Sequence, residues 1–153
     1  MSNEIGKALM AHFDSVFEGP NGDYPAVLET LKGVTAAQAL WKPGPEQNSI
    51  WQIVEHVTGS KTWQIKMLEK GSAVSPPWVE PKGGEQAWQA SLKRMKAEHA
   101  RLREALGRLS EKDLFSIPEP KWGKTQLELL MSIAAHEAHH SGQIDYLKSL
   151  APS

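Results

Sequence analysis

The segment from Thr125 to Leu150, TQLELLMSIAAHEAHHSGQIDYLKSL, constrains the chain more than any other. Successive residues of a helix turn by about 100°, so positions three and four apart share a face. Leu129, Ile133, His136, His140, Ile144 and Leu147 follow that spacing, which predicts one long helix with a core-facing stripe. Two histidines one turn apart sit in the middle of this stripe. This is the usual way in which a helix offers two nitrogen ligands to one transition-metal ion. The alternative is a pair of structural histidines, because each buried ring is a polar group that needs a partner. On the metal reading, the rest of the chain has to supply the third ligand and the walls. His136 and His140 lie about 40° apart and straddle the stripe, whereas His139 lies roughly 80° to the side. His139 is therefore expected at the flank or at an interface.

The preceding chain reads as further helices. Ile5, Leu9, Phe13 and Val16 mark a first helix over Asn3 to Phe17, with His12 beside the stripe as a partly buried histidine. Glycine and proline break it at Glu18 to Pro25. Short helical pieces follow at Ala26 to Gly33 and Thr35 to Ala39. Ser49 is an N-cap for a helix over Ile50 to Glu69 that stops at Gly71. Ile50, Val54, Val57 and Leu68 form one apolar line along it; Ile53, His56, Ser60, Trp63 and Met67 form a second. On this spacing alone His56 reads as a half-buried histidine bonded to a carbonyl, with metal ligation the alternative. In Glu85 to Leu109, Trp88, Leu92, Met95, His99, Leu102, Leu106 and Leu109 alternate without a fault, so His99 is expected as a structural core histidine. Ser72 to Gly84 holds three prolines and Trp78, and is long enough to lie across one end of a bundle. Leu109 to Lys124 carries at most a turn of helix, at Ser110 to Leu114. No alternating strand pattern occurs. The fold class is all-α, a four-helix bundle with a broken first helix and long connections, and residues 1–153 form one domain.

Composition limits the functions available. A formal net charge of −1 points to no nucleic-acid partner and no acidic membrane surface. No apolar run approaches the roughly 20 residues of a membrane span, and the N-terminus has no apolar signal core, so a cytoplasmic location is expected. The absence of cysteine removes disulfides, thiolate ligands and a cysteine nucleophile together. Six tryptophans against three phenylalanines suggest that some of them line a pocket.

His136-Glu137-Ala138-His139-His140 also matches H-E-x-x-H, the zinc protease signature. Such enzymes take a third ligand well downstream. Only 13 residues follow His140, none of them histidine or glutamate, and Asp145 lies on the same helix. No strand is available to hold a peptide. The protease reading is set aside.

Ser49-Ile50-Trp51-Gln52-Ile53-Val54-Glu55-His56, taken with His136-Glu137-Ala138-His139-His140-Ser141-Gly142-Gln143-Ile144, resembles the DinB-like superfamily of bacterial metal-binding bundles. Ala39-Leu40-Trp41-Lys42-Pro43 resembles that family's stretch ahead of the second long helix. The similarity covers nearly the whole chain. It implies a four-helix bundle of unusual helix order that holds a divalent metal, nickel or zinc in different members. The ligands would be three histidines, matched here by His56, His136 and His140. It also implies a homodimer and, for some members, thiol transfer from bacillithiol or mycothiol or a related isomerisation.

Three neutral imidazoles leave an open metal position, as in catalytic sites. The expected function is a metal-dependent enzyme that transfers a low-molecular-weight thiol to an electrophile, with a small molecule as substrate. A metal-dependent hydrolase and a non-catalytic metal- or ligand-binding stress-response protein are the alternatives. Gln143 is the candidate catalytic residue, placed to hold a metal-bound water or a substrate oxygen. Ser60, Trp63 and Met67 are the candidate cofactor-binding residues, with the Trp78 loop as a further wall.

Overall fold

The structure, a computed structural model, describes residues 3–153. Four long helices carry the fold: α1 (Glu4–Phe17), α4 (Ile50–Lys70), α5 (Glu85–Gly107) and α7 (Gln126–Leu150). Short helices α2 (Val27–Leu31), α3 (Ala36–Leu40) and α6 (Glu111–Leu114) and a 3-10 turn at Pro120–Trp122 fill the connections, and no strand occurs among the described residues. The helix starts follow from local chemistry. The side chains of Asn3, Thr35, Ser49, Ser110 and Thr125 each accept a backbone N–H of the turn they open. Four of these five, all but Asn3, form a full capping box. Gly71 ends α4 with φ 71°, a conformation that costs glycine nothing.

Helix directions follow from the pairs across each interface. Trp51 with Ser91, Thr62 with Glu98 and Glu69 with Arg108 rise together, so α4 and α5 are parallel. Asn3 with Leu109 and Asp14 with Arg103 run oppositely, so α1 is antiparallel to α5. Around the bundle the order is α1, α5, α4, α7, because α1 packs on α5 and α7, and α4 packs on α5 and α7. Chain neighbours α1 and α4 are therefore diagonal. The parallel pair has a consequence for the connection from Gly71 to Gly84. It must retrace α4, about 31 Å for 21 residues, before α5 can start. It runs along the side of the bundle and does not close an end.

The core faces of the helices hold two apolar clusters. One contains Phe17, Trp51, Val57, Trp88, Met95 and Ile144, and the other Phe13, Ile65, Leu102, Leu114, Leu130 and Ala134. Between them each long helix contributes one member of a bonded polar layer, beside other buried polar groups such as Gln64 and Ser141. Asp14 separates Phe13 from Phe17, Lys61 separates Val57 from Ile65, His99 separates Met95 from Leu102, and Glu137 separates Ala134 from Ile144. These four bond to one another. Lys61 Nζ donates to Glu137 Oε2 at 2.6 Å and lies 3.1 Å from His99 Nδ1, while His99 Nε2 lies 2.9 Å from Asp14 Oδ1. Arg103 Nε completes the chain at the surface, 2.9 Å from Asp14 Oδ2. Lys61 is fully buried, and its amine also sits 4.5 Å from the centroid of the Phe17 ring.

This pattern suits a neutral His99 that accepts from Lys61 and donates to Asp14. Burial, reinforced by the Lys61 charge, pushes the His99 pKa down to about 4 against the opposing pull of Asp14. An unfolded imidazole titrates near 6.5, so on acidification the unfolded chain takes up the proton first. The stability contributed by the neutral ring is complete above about pH 6.5 and is lost as pH falls towards 4. A urea series at pH 7, 6 and 5 is expected to show a falling midpoint, with a loss on the order of 1–3 kcal/mol from this group. His99→Gln, which cannot charge, should flatten that part of the profile.

Candidate metal centre

The three candidate ligands come from α4 and α7, which are antiparallel, since Ile53 lies by Gln143 and Leu147 while Ser60 and Trp63 lie by Ser132 and Ile133. The Ser49 cap starts α4, and the same Gln52 that closes this cap through Oε1 reaches Val79 O and Glu80 Oε1 through Nε2. Glu80 also pairs with Lys42. The start of α4 and the returning connection are thus tied together one turn before His56. On α7, Thr125 and Glu128 cap the N-terminus, and three turns of helix carry the face up to His136.

His56 Nε2 lies 3.1 Å from His136 Nε2, and His140 Nε2 lies 2.9 Å from the same atom. All three ligand nitrogens fall within 4.8 Å of one another. Two nitrogens each about 2.0–2.1 Å from one ion lie about 2.9–3.4 Å apart at right-angled to tetrahedral angles, so the observed separations fit a shared ion. The hydrogen bonds point the same way. His140 Nδ1 lies 2.6 Å from Gln143 Oε1, which can only accept, so Nδ1 carries the proton and Nε2 presents a lone pair. A single proton on His136 Nε2 cannot satisfy two facing nitrogens equally. His56 Nδ1 is buried with no hydrogen-bond partner among the described residues. Burial, and after it repulsion from neighbouring imidazoles, lowers the pKa of all three rings, that of His140 to about 4 against the opposing hydrogen bond to Gln143. At neutral pH they are uncharged bases, the form that binds metal.

A cavity of about 420 Å³ opens beside His56 and His136 and is lined also by Ser60, Trp63, Ser75, Pro76, Ser132 and Ile133. Apart from the two imidazoles, no ionisable side chain is in its lining. Its roof is the returning connection. Trp78 stacks on His56 with centroids 4.1 Å apart and planes 8° apart. Gly59 allows this approach, because a Cβ there would lie 2.9 Å from Pro76 Cγ. Trp122 stands 6.3 Å from Trp63 and is 40% exposed at the rim.

Ser60 and Trp63 thus stand beside the histidines, and Gln143 lies against His140. Met67 does not reach them. It is 11 residues beyond His56, about 16 Å along α4, and it lines a different cavity with Leu109 and Gln126. His139 is exposed, its ring 5.4 Å from that of His140, and it takes no part in the nitrogen cluster. His12, expected as partly buried, is exposed, because the core side of α1 is taken by Leu9, Phe13, Val16 and Phe17. The core face of α7 is also turned from the expected stripe. Leu130, Ala134, Glu137, Ser141 and Ile144 form its centre, while Leu129, Ile133 and His136 are half-buried at its edge. That rotation puts His136 at the cavity and aims Glu137 at Lys61, away from any substrate, which removes the general base of the protease reading.

Lys61 and Glu137 are the functional candidates that sequence reasoning missed. A signal existed in the apolar line of α4, which runs Ile50, Val54, Val57 and then skips to Leu68. The missing steps are Lys61 and Gln64, and both are buried. Two polar residues filling a core line call for a partner on the facing helix.

No curated protein and no solved structure matches the chain. No helix among the described residues is long and apolar enough to cross a membrane. The family model described as the DinB superfamily matches residues 23–144, a span that runs from before α2 through all three clustered histidines. With an all-helical bundle around three histidines that could hold a metal ion, the chain belongs to the DinB superfamily.

Proposed function

We propose that this protein is a metal-dependent enzyme that joins a small thiol to an uncharged, apolar electrophile, with nickel or zinc held by His56, His136 and His140. The observation that carries the reading is the convergence of three Nε2 atoms beside a cavity that two of the three rings line and whose wall holds no carboxylate, lysine or arginine. When bound, the metal supplies a cation that keeps a thiol deprotonated near neutral pH. The chain's own residues do the rest. It has no cysteine, so the thiol comes from outside. Gln143 holds the Nδ1 proton of His140 and so keeps Nε2 free as a ligand. Trp63, Pro76 and Ile133 offer apolar surface for the electrophile, and Ser60, Ser75 and Ser132 offer hydroxyls to orient it. Trp78 shields His56 from water. In the overall step a sulfur–carbon bond forms as a carbon–halogen or epoxide carbon–oxygen bond breaks. The halide leaves and the thiol proton passes to solvent, or the opened oxygen takes the proton.

The experiment is a panel of low-molecular-weight thiols against haloarenes and epoxides, with esters and amides alongside, on protein loaded with nickel or zinc. Thiol-dependent conjugation that needs the metal is expected, with neutral electrophiles preferred over carboxylated ones. Metal-dependent ester or amide cleavage without thiol would replace this reading with a hydrolase. Silence in both panels with metal bound would make the protein a non-catalytic binder. A symmetric homodimer belongs to the same proposal, supported by the exposed Met131, Tyr146 and Leu150 on α7. Light scattering should report two chains per particle, and a monomer at micromolar concentration would refute it.

A further inference from the structure

The buried pair Lys61–Glu137 lies on the two helices that carry the candidate ligands. Lys61 is five residues past His56 on α4, and Glu137 directly follows His136 and precedes His140 by three. One contact of 2.6 Å, with side-chain exposures of 1% and 3%, ties those two segments together. We propose that Lys61 and Glu137 are positioning residues for the three-imidazole site, setting the axial register of α7 against α4 so that His136 and His140 face His56. The inference rests on the metal-centre reading for its ligand set.

Three observations support it. The apolar neighbours on either side are Val57 and Ile65 on α4 and Ala134 on α7, whose contacts are non-directional, so a slide of one helical turn exchanges one such contact for another. A hydrogen bond does not tolerate such a slide. A slip of one helical turn is about 5.4 Å, enough to carry the pair out of bonding range. The amine is itself fixed from two more helices, by His99 on α5 and, through His99, by Asp14 on α1. The layer thus references the ligand-bearing helices to the whole bundle. Finally, a buried ion pair is a poor way to gain stability, since apolar side chains of similar volume often serve as well or better. A bonded polar layer within an apolar core is best attested as a device that specifies register.

The test separates position from stability. The double variant Lys61→Met/Glu137→Leu removes both charges and keeps the volume, so its urea midpoint is expected to stay close to that of the parent, lowered only by the cost of leaving His99 Nδ1 without its donor. Its affinity for zinc and nickel, measured by chelator competition, should nevertheless fall by about tenfold or more, as for the outer partners of metal ligands. In a metal-free crystal structure of the same variant, the separation of His56 Nε2 from His136 Nε2 should lengthen beyond hydrogen-bond reach. An unchanged separation overturns the proposal whatever the metal affinity does. If the parent protein binds no metal, the metal-centre reading fails and the imidazole separation still decides the register question. Glu137→Gln gives a second reading that does not depend on the double variant folding. Its amide oxygen still accepts from Lys61, so affinity should change by no more than about threefold. A tenfold loss in that variant would assign the effect to charge and overturn the positional role.

Discussion

Alanine in place of His56, His136 or His140 is expected to lower the affinity for zinc or nickel by more than about a hundredfold, while His139→Ala leaves it within a few-fold. Zinc sites with four ligands are worth roughly 10–16 kcal/mol in apparent binding free energy, or about 2.5–4 kcal/mol per ligand. Each of the three rings contributes one Nε2 to the cluster, so each removal should cost a similar amount. His139 is the internal control. It shares the sequence cluster, lies one residue from His140, and is exposed outside the nitrogen triangle. Elemental analysis of tag-free protein should give one ion per chain for the parent and for His139→Ala, and well under one for the three ligand variants after dialysis. Metal retained by His140→Ala but lost by His139→Ala would reverse the assignment. Circular dichroism on each variant keeps loss of metal distinct from loss of fold.

Lys61→Ala is expected to destabilise the protein by about 3–5 kcal/mol, the cost of leaving one member of a buried ion pair alone. Glu137 would remain 2% exposed with neither carboxylate oxygen bonded, since Oε1 already lacks a partner and Oε2 has only Lys61. His99 Nδ1 would lose its donor as well. Burial pushes the Lys61 pKa down and the Glu137 pKa up, and in both groups their mutual attraction opposes the shift. Removing the amine removes that opposition from Glu137. The carboxyl must then either stay charged in an apolar layer or hold a proton at neutral pH, and both raise the free energy of the folded state. Against a typical total of roughly 5–15 kcal/mol, a loss of this size should move the urea midpoint by a large fraction. A loss below about 1 kcal/mol would show that water reaches Glu137 and that the layer is not dry.

What could be read along the chain was what short-range chemistry decides. Ser49 announced the start of α4, Gly71 announced its stop, the run from Trp88 to Leu106 announced α5, and the spacing from Leu129 to Leu147 announced α7. Each signal acts through hydrogen bonds or side-chain contacts within four residues, so no partner segment needs to be known. The pairing of His136 with His140 belongs to the same class, because one turn of helix is enough to set two rings side by side. His56 was different. Its spacing allowed a bystander, and only its place across the α4–α7 interface makes it the third nitrogen.

Tertiary structure alone decided the rest. The apolar stripe of α7 was legible as a stripe, but its rotation depended on Glu137 finding Lys61, 76 positions away in sequence. Polar residues in a helix read as solvent-facing until a buried partner on another helix is known. Met67 and Ser60 share one line of α4, yet only Ser60 stands near the histidines, because distance along an axis is lost when a helix is read as faces. The parallel course of α4 and α5 sends the Gly71–Gly84 connection back along the bundle and sets Trp78 on His56. Local propensity specified the helices and the two histidines one turn apart. Helix direction, core rotation, the charge layer and the roof of the cavity were set by contacts between residues tens of positions apart, whose free energy exists only once the four helices have met.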